Sequence, residues 1–317
     1  MSKTGIIYHP DYLKHDTGFG HPESPYRLTS ILDRLRDSDL LNELTIIEPT
    51  SAKEEDILLI HTREHLEMVK SAWNGGLASL TPDTPISEDS FRVALLAVGG
   101  VLTGIDRIMA GEIKNAMALV RPPGHHATPD QAMGFCLFNN MAIGARHLQK
   151  RHGIKKVLIV DWDLHHGNGT QEAFYDDPSV LYFSTHQYPH YPGTGSYQDT
   201  GEGKGKGYTI NTPMRAGTPP EEFMKKFRET LYERALEFCP GFILISAGFD
   251  AHKDDPLGGL LLTEDSYAEM TRIVLDIADK CCKGRVLSAL EGGYNLDALA
   301  LSVLAHLGVM TARATDS

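Results

Sequence analysis

Cysteine is scarce in this sequence. Four cysteines occur among 317 residues, none of them form a Cys-x-x-Cys pair, and Cys281 and Cys282 are adjacent. This spacing argues against a small disulfide-framed domain and against a four-cysteine zinc ribbon. It is typical of reduced thiols, so a cytoplasmic protein is expected.

Long apolar runs and linkers are missing as well. Residues 1–10, MSKTGIIYHP, lack the apolar core of a signal peptide, and no later run reaches the roughly 18 apolar residues of a membrane span. No low-complexity segment divides the chain, and no internal repeat recurs. Because 41% of the residues are hydrophobic, a single globular domain over residues 1–317 is expected, without a membrane partner.

Positively charged residues are also fewer than negatively charged ones. Lysine and arginine number 30 against 42 aspartates and glutamates, so the formal net charge is −12. A negative surface repels phosphate backbones and anionic lipids, and nucleic acid is therefore not expected as a partner. A cationic substrate would be attracted. The sequence does not indicate an oligomeric state.

What the sequence does contain is an alternation of short β-branched runs with longer segments of helical period. This alternation is typical of an α/β fold, in which helices cover both faces of a mostly parallel sheet. The predicted strands are 5–8, 116–120, 156–160, 180–184, 208–211, 242–246 and 285–289. The predicted helices are 26–36, 87–110, 139–151, 220–238, 264–280 and 296–307.

Four of these strands run into polar or glycine-rich segments. In a parallel sheet the ligand lies beyond the carboxyl ends of the strands. Glycine and proline at these points favour loops that approach a ligand closely. We therefore expect one shared site, formed by RPPGHHA (121–127), DWDLHHGNG (161–169), AGFD (247–250) and EGGY (291–294).

The segment 161–169 suggests a metal site. Residues two apart on an extended backbone point to one face, so Asp163 and His165 can bind one ion. Asp250, which ends another apolar run, is the candidate third ligand. Catalytic zinc keeps three protein ligands and an open position. The alternative is that these polar residues merely end strands and cap the following helices.

Four further side chains suggest acid–base and electrostatic chemistry. His125 and His126 follow two prolines and a glycine, and imidazole titrates near neutrality. Asp161 would orient one of the rings through its N–H group. Tyr294 offers a hydroxyl to a developing oxyanion. The alternatives are two solvated loop histidines and a packed aromatic ring.

Together these motifs resemble the zinc-dependent histone deacetylase superfamily, in particular class II-like bacterial deacetylases and histone deacetylase-like amidohydrolases. The resemblance covers nearly the whole chain and rests on segments 121–127, 134–140 (GFCLFNN), 161–170, 247–250 and 291–294. It implies a single-domain arginase-like fold with a parallel sheet of eight strands. It also implies amide hydrolysis, in which zinc and tyrosine polarise a carbonyl while a histidine-assisted water attacks.

Carried onto this chain, the resemblance makes Asp163, His165 and Asp250 the zinc ligands. His126 becomes the general base and acid, and Tyr294 the transition-state tyrosine. Iron(II) is a possible metal in the cell, because aspartate and histidine ligands accept both ions. Within the family, class II character is implied by His21, Glu23, Arg27, Asn168 and segment 255–259.

The resemblance also implies a narrow tunnel that holds an acyl-lysine side chain, with aromatic walls around the methylene stem. Its residues are Gly134, Phe135, Tyr191, Leu257 and Gly292. Leu257 bears on the substrate, because polyamine-selective relatives carry glutamate at that position to recognise a cationic amine.

Two structural potassium sites are implied as well, bound largely by backbone carbonyls. The first corresponds to Asp161, Asp163, His165, Ser184 and Thr185. The second corresponds to Phe174, Asp177, Val180 and Tyr208.

The leading hypothesis is therefore a zinc-dependent amidohydrolase that removes acetyl or related acyl groups from lysine side chains of proteins or peptides. One alternative is a deacetylase of small acetylated amines such as acetylpolyamines, which the acidic composition favours mildly and Leu257 disfavours. The other is a non-catalytic scaffold that binds acyl-lysine. The motifs do not predict the acyl length or the physiological substrate.

Overall fold

Strands and helices alternate along the chain in the computed structural model, which describes residues 3–315. The strands are β1 (Lys3–Ile7), β2 (Leu44–Ile47), β3 (Ser79–Thr81), β4 (Thr84–Pro85), β5 (Ile113–Ala118), β6 (Val157–Asp161), β7 (Val180–Gln187), β8 (Thr209–Met214), β9 (Phe242–Ala247) and β10 (Val286–Leu290). The α-helices are α1 (Tyr26–Arg36), α2 (Glu54–Ile57), α3 (Arg63–Ser71), α4 (Ser90–Met109), α5 (Asn140–His152), α6 (Asn168–Ala173), α7 (Pro220–Phe238), α8 (Glu264–Cys282) and α9 (Leu296–Thr315).

Eight strands form one sheet in the order β2-β1-β5-β10-β9-β6-β7-β8. Every neighbouring pair in it is parallel. The central strands β6, β9 and β10 are buried along their whole length, as expected of apolar runs covered on both faces. The predicted α/β class and eight-stranded parallel sheet are confirmed. The short strands β3 and β4 pair separately and antiparallel.

Two groups of helices cover the sheet. Helices α4 and α5 pack on each other and on β1, β5, β6, β9 and β10. Helices α1, α7, α8 and α9 form a second connected group that contacts β1, β5, β7, β8 and β9. The side chains between these layers form the main hydrophobic core.

The hydrophobic periodicity of the sequence did not predict β2 or α3. Strand β2 is short, lies at the sheet edge and buries only Leu44 fully, so it lacks the continuous buried run of the central strands. Helix α3 buries only His65, Leu66 and Val69. Pairing with β1 holds β2 at the sheet edge, whereas α3 begins after Thr62, whose side chain accepts a hydrogen bond from the His65 N–H.

Helix α9 is long and apolar enough to cross a membrane by length and composition alone, with a mean hydropathy of 1.3 over Leu296–Ala314. Half of that window is buried within the fold. The helix packs on α1 and α8 and reaches β1 and β5. Packing against the core therefore explains its apolar composition.

Removing a large core ring should destabilise the protein measurably. Phe183 on β7 is fully buried, and its ring lies 5.4 Å from the Phe227 ring of α7 in an edge-to-face arrangement. We expect Phe183→Ala to lower the free energy of unfolding by about 3–5 kcal/mol, because it removes these contacts and leaves a cavity. Urea unfolding measures this change. Tyr197→Ala, at a ring that is 68% exposed, is the control and should change the unfolding free energy by less than about 0.5 kcal/mol. Equal effects of the two substitutions would contradict the assignment of Phe183 to the core.

Candidate active site

The polar segments of the sequence follow four strands that are neighbours at the centre of the sheet. These strands are β5, β10, β9 and β6, in that order. Their carboxyl ends meet around a cavity of about 160 Å³. The structure brings together there both loop histidines, the tyrosine and all five predicted tunnel residues. The lining consists of Asp83, Pro123, His125, His126, Gly134, Phe135, His165, Tyr191, Leu257, Gly292 and Tyr294.

The three predicted metal ligands converge at the floor of this site. Nδ1 of His165 lies 3.1 Å from Oδ1 of Asp163 and 3.0 Å from Oδ2 of Asp250. One ligand atom from each of the three residues lies within 4.8 Å of the others. Both carboxylates are buried. One imidazole and two carboxylates form a donor set that suits a three-ligand zinc centre.

Backbone N–H groups orient the two carboxylates. The Gly292 N–H donates to Asp163 Oδ2 at 2.7 Å, and the Leu164 N–H donates to Asp250 Oδ1 at 2.8 Å. These bonds leave Asp163 Oδ1 and Asp250 Oδ2 facing His165. A Cβ atom at position 292 would lie 2.3 Å from Asp250 Oδ2, so only glycine fits this approach. Such outer hydrogen bonds hold ligands in place before a metal binds.

Negative charge is in excess around these ligands. Burial raises the pKa of Asp161, raises the pKa of Glu291 to about 7, and together with the Asp163 charge raises the pKa of Asp250. Oε1 of Glu291 is buried without a hydrogen-bond partner among residues 3–315. A cation among these carboxylates would relieve their repulsion. Both the donor set and the electrostatics therefore fit a divalent metal ion.

The same field acts on His165. Burial alone would lower the pKa of this imidazole, but hydrogen bonds to Asp163 and Asp250 raise it to about 10. The carboxylates thus favour positive charge at the His165 nitrogen, which a metal ion supplies as well as a proton does.

The two loop histidines differ in charge. Nδ1 of His125 lies 3.1 Å from Oδ2 of Asp161, as the sequence predicted for one of the rings. Burial disfavours the charged form of His125, but Asp163 and Asp161 raise its pKa to about 10. Burial and the positive charges of His125 and His165 hold the pKa of His126 well below its usual range. These interactions favour an imidazolium at His125 and a neutral imidazole at His126.

The tautomer of His126 follows from its neighbour Asn168. The Asn168 amide donates through Nδ2 to the His126 carbonyl at 3.3 Å, which turns its oxygen Oδ1 toward His126 Nδ1 at 2.8 Å. Because that oxygen only accepts, Nδ1 carries the proton and Nε2 keeps its lone pair. Gly134 permits the close packing here: its φ is +56°, and a Cβ would lie 2.3 Å from the His126 ring.

Tyr294 supplies a hydroxyl that stays protonated. Burial and the nearby Asp250 charge raise its pKa well above the usual range. Its ring packs edge-on against Phe135 at 6.0 Å, and the Arg27 guanidinium lies 5.1 Å from the ring centroid. The Tyr294 N–H donates to Asp255 Oδ2 at 2.7 Å. This packing leaves the hydroxyl as a hydrogen-bond donor in the cavity.

Tyr191 and Phe135 give the cavity aromatic walls. The Tyr191 ring stands edge-on to His126 at 5.2 Å, and its hydroxyl donates to Asp83 Oδ2 at 2.8 Å. Phe135 adopts a left-handed φ of 68°, an uncommon conformation for a side chain of this size. The Leu257 carbonyl accepts a hydrogen bond from His190 Nε2 at 3.1 Å.

Sequence reasoning missed three residues at this site. Asp83 lies in the turn between β3 and β4, far from every motif, and no local signal pointed to it. His190 stacks on His165 at 5.2 Å. Glu291 accepts hydrogen bonds from the Gly124 and His125 N–H groups. Of these, only Glu291 lay inside a recognised motif and was available to closer reading.

A buried ion network supports the loop that carries Tyr294. Arg121 donates to Glu23 Oε1 at 2.5 Å and to Glu23 Oε2 at 2.8 Å. Arg27 donates to Glu23 Oε1 at 3.1 Å and to the Gly293 carbonyl at 2.7 Å, and also bonds the Glu291 carbonyl. Glu23, Arg27 and Arg121 are all fully buried. This network fixes the position of loop 291–294.

The first predicted potassium set lies beside the metal ligands. Asp161 on β6 pairs in register with Ser184 on β7, which brings the two chain segments together. The Thr185 hydroxyl is buried without a hydrogen-bond partner among residues 3–315. The set of Asp161, Asp163, His165, Ser184 and Thr185 is therefore contiguous, and potassium binding there stays a prediction.

The second predicted potassium set lies around the loop between α6 and β7. The Asp177 N–H donates to the Phe174 carbonyl at 3.1 Å, and the Val180 N–H donates to the Asp177 carbonyl at 3.5 Å. The Tyr208 carbonyl accepts from the N–H of Tyr182 at 2.9 Å. The Arg146 guanidinium lies 4.6 Å from the Phe174 ring centroid, so this set has a fixed positive charge beside it. Potassium binding there also stays a prediction.

Comparisons with known proteins agree with this geometry. A sequence model described as "Histone deacetylase domain" matches residues 21–310. The chain is 44% identical over 297 residues to a "Probable deacetylase" of Archaeoglobus fulgidus, covering 93% of this chain and 82% of that protein. It is 40% identical over 326 residues to "Histone deacetylase 5" of Arabidopsis thaliana, covering 97% of this chain and 49% of that protein. The chain thus spans about half the length of the plant relative.

A solved structure is similar over almost the same extent. The crystal structure titled "HDA15 HD domain" matches with a TM-score of 0.92 and 39% sequence identity, covering 99% of this chain and 89% of that chain. The similarity therefore extends over nearly the whole fold.

The Glu23 network should be visible as pH-dependent stability. Burial favours the neutral acid, but Arg121 and Arg27 lower the pKa of Glu23 to about 2, below its ordinary value of 4.5. The stabilisation by Glu23 is therefore complete above pH 4.5 and is lost as the pH falls through about 2. We expect Glu23→Gln to lower the free energy of unfolding by about 3–5 kcal/mol at pH 7, because two buried guanidinium groups lose their counter-charge.

Urea unfolding of both proteins from pH 7 down to the acid limit of folding measures this difference. The difference in unfolding free energy between the parent and Glu23→Gln should become smaller below pH 4.5. Glu222→Gln, in an exposed pair with Lys226, is the control and should leave the unfolding midpoint unchanged. A Glu23→Gln variant as stable as the parent at pH 7 would refute the role of the network.

Proposed function

Since this chain belongs to the histone deacetylase family, we propose that it removes acetyl or related acyl groups from lysine side chains of proteins or peptides as a metal-dependent amidohydrolase. Membership of this family makes the chain a hydrolase of amide-bound acetyl groups, as the sequence predicts. The observation that carries the finer proposal is the convergence of Asp163, His165 and Asp250 beneath a neutral His126. We further propose that residues 1–317 form one catalytic domain.

Asp163, His165 and Asp250 would hold the metal, which we propose to be zinc, with iron(II) as the cellular alternative. A divalent cation in this position supplies Lewis acidity, which polarises the amide carbonyl and acidifies water. Potassium bound at the two predicted sets, largely through backbone carbonyls, would have a structural role.

The remaining chemistry follows from the protonation states of the side chains. His126 Nε2 accepts a proton from the attacking water and later returns it to the leaving amine. The His125 imidazolium, held by Asp161, offsets negative charge that develops beside it. The Tyr294 hydroxyl donates a hydrogen bond to the oxyanion. Each of these groups lines or underlies the same cavity.

The cavity walls favour acyl-lysine over a polyamine. Phe135 and Tyr191 offer aromatic surfaces to a methylene stem. Leu257 lines the cavity without a charge for a second amine, which disfavours acetylpolyamines as the dedicated substrate. A purely binding role is disfavoured because the base, the oxyanion donor and all three metal ligands are intact.

We propose a cytoplasmic location from the composition of the chain. The four cysteines are free in the structure, which is compatible with a cytoplasmic protein. The net charge of −12 suits an acylated protein or small amine better than nucleic acid or a membrane surface as the partner.

Substrate and metal are tested together by comparing kcat/KM for an acetyl-lysine peptide and for N-acetylputrescine. Zinc-loaded and chelator-stripped protein are assayed side by side, and the stripped sample is then reloaded. We expect strong preference for the peptide, loss of activity on stripping and its return with zinc. Preference for N-acetylputrescine would overturn the substrate, and full activity after complete metal removal would overturn the mechanism.

Tyr294→Phe should separate catalysis from folding. The substitution keeps the packed ring and removes only the hydroxyl, so kcat should fall by about two orders of magnitude while the unfolding midpoint stays unchanged. Tyr197→Phe, at an exposed ring, is the matched control and should keep full kcat. Turnover of Tyr294→Phe close to that of the parent would remove this residue from the mechanism.

A further inference from the structure

A second group of metal-type ligands lies between α4 and α5. Nε2 of His147 is 2.8 Å from Oδ1 of Asp106, and Nε2 of His152 is 2.6 Å from the same oxygen. One ligand atom from each of the three residues lies within 4.8 Å of the others. Asp106 belongs to α4, whereas both histidines belong to α5. Two imidazoles and one carboxylate thus converge on a single point.

This cluster is separate from the active site. Asn139 is the N-cap residue of α5, and its side chain donates to the carbonyls of His125 and Ala127 in the catalytic loop. His152 is the last residue of the same 13-residue helix. At about 1.5 Å per residue, the two ends of the helix are roughly 20 Å apart.

The cluster is both anchored and accessible. The side chain of His147 is 9% exposed, that of His152 is 19% exposed and that of Asp106 is 44% exposed. Two packed helices hold the ligands, which favours a preformed site. Asp106 and His147 also line an open cleft of about 570 Å³, through which an ion and water can enter.

The charges around the cleft are balanced. Lys53, Lys150 and Arg151 line it, and so do Glu55, Asp56 and the ligand Asp106 itself. Affinity for a cation must therefore come from the three ligands themselves. Two imidazoles with one carboxylate suit zinc, cobalt or nickel rather than magnesium or calcium, which prefer oxygen ligands alone.

The geometry requires only a small adjustment. Metal–ligand distances of about 2.0–2.1 Å in a tetrahedral site place ligand atoms about 3.3 Å apart. The present separations of 2.8 and 2.6 Å are those of hydrogen bonds. The imidazoles need to withdraw from the carboxylate oxygen by roughly 0.5–0.7 Å. Their two ligand nitrogens, which lie within 4.8 Å of each other, need to reach a similar spacing. The position of His152 at the helix end and the half-exposed Asp106 allow this movement.

We propose that Asp106, His147 and His152 form a second, structural binding site for zinc or a similar transition-metal ion. In this site the ion joins the carboxyl-terminal end of α5 to α4. The fourth position faces the cleft and is left for water. The proposal does not depend on the catalytic function, because the two sites share no ligand.

Metal stoichiometry tests the proposal directly. Protein without an affinity tag is equilibrated with excess zinc and desalted, and zinc per chain is measured by elemental mass spectrometry. We expect two ions per chain for the parent and one for His152→Gln, which can still hydrogen-bond to Asp106 but is a poor ligand. Asp250→Asn, which weakens the catalytic site, should retain the ion at the second site. His9→Gln, in a histidine–carboxylate pair with Glu48 that lacks a second imidazole, is the control and should bind two.

Two further readouts separate this site from adventitious binding. Zinc should raise the Tm of Asp250→Asn by about 2 °C or more, and this rise should vanish when His152→Gln is added. Crystals of zinc-loaded protein should show anomalous density among Asp106, His147 and His152. The proposal is overturned if the parent and His152→Gln bind equal amounts of zinc, or if the second ion lies elsewhere.

Discussion

The burial of several carboxylates at the carboxyl ends of the central strands is the constraint on which the site depends. Asp161, Asp163, Asp250 and Glu291 are all buried, where an unpaired charge is expensive. They are tolerated because backbone N–H groups and two imidazoles face them. A parallel sheet suits this arrangement, since neighbouring strands end at one edge and their loops supply those N–H groups.

The negative charge of the buried carboxylates favours different protonation states for two adjacent histidines. His125 lies against Asp161 and is charged, and that charge helps to keep His126 neutral. Asn168 then determines which nitrogen of His126 carries the proton. The free lone pair of the proposed base thus follows from burial, one carboxylate and one amide, without any unusual residue.

Residues farther from the predicted metal ligands also hold parts of the site in position. Glu23 binds two arginines that support the loop carrying Tyr294, so the proposed oxyanion donor rests on a fully buried ion network. Asn139, at the start of α5, donates a hydrogen bond to the Ala127 carbonyl in the loop of the active site. His147 and His152, nearer the other end of this helix, belong to the second metal-type cluster. Metal binding at that end would therefore restrain a helix whose other end meets the active site.

The sequence by itself determined the fold class, the order of the central elements and the motif residues that gather at the cavity, because apolar periodicity and strand-end polarity are local properties. Its hydrophobic pattern missed β2, which depends on pairing with β1, and α3, a nine-residue helix that buries only His65, Leu66 and Val69. Only the tertiary structure decided the favoured charges of His125 and His126, because the groups that act on them include Asp163, Asp161 and His165, at the end of β6 and in the loop after it. It also placed Asp83 on the cavity wall and brought Asp106 to His147, since such contacts join elements whose distance in space no local pattern encodes.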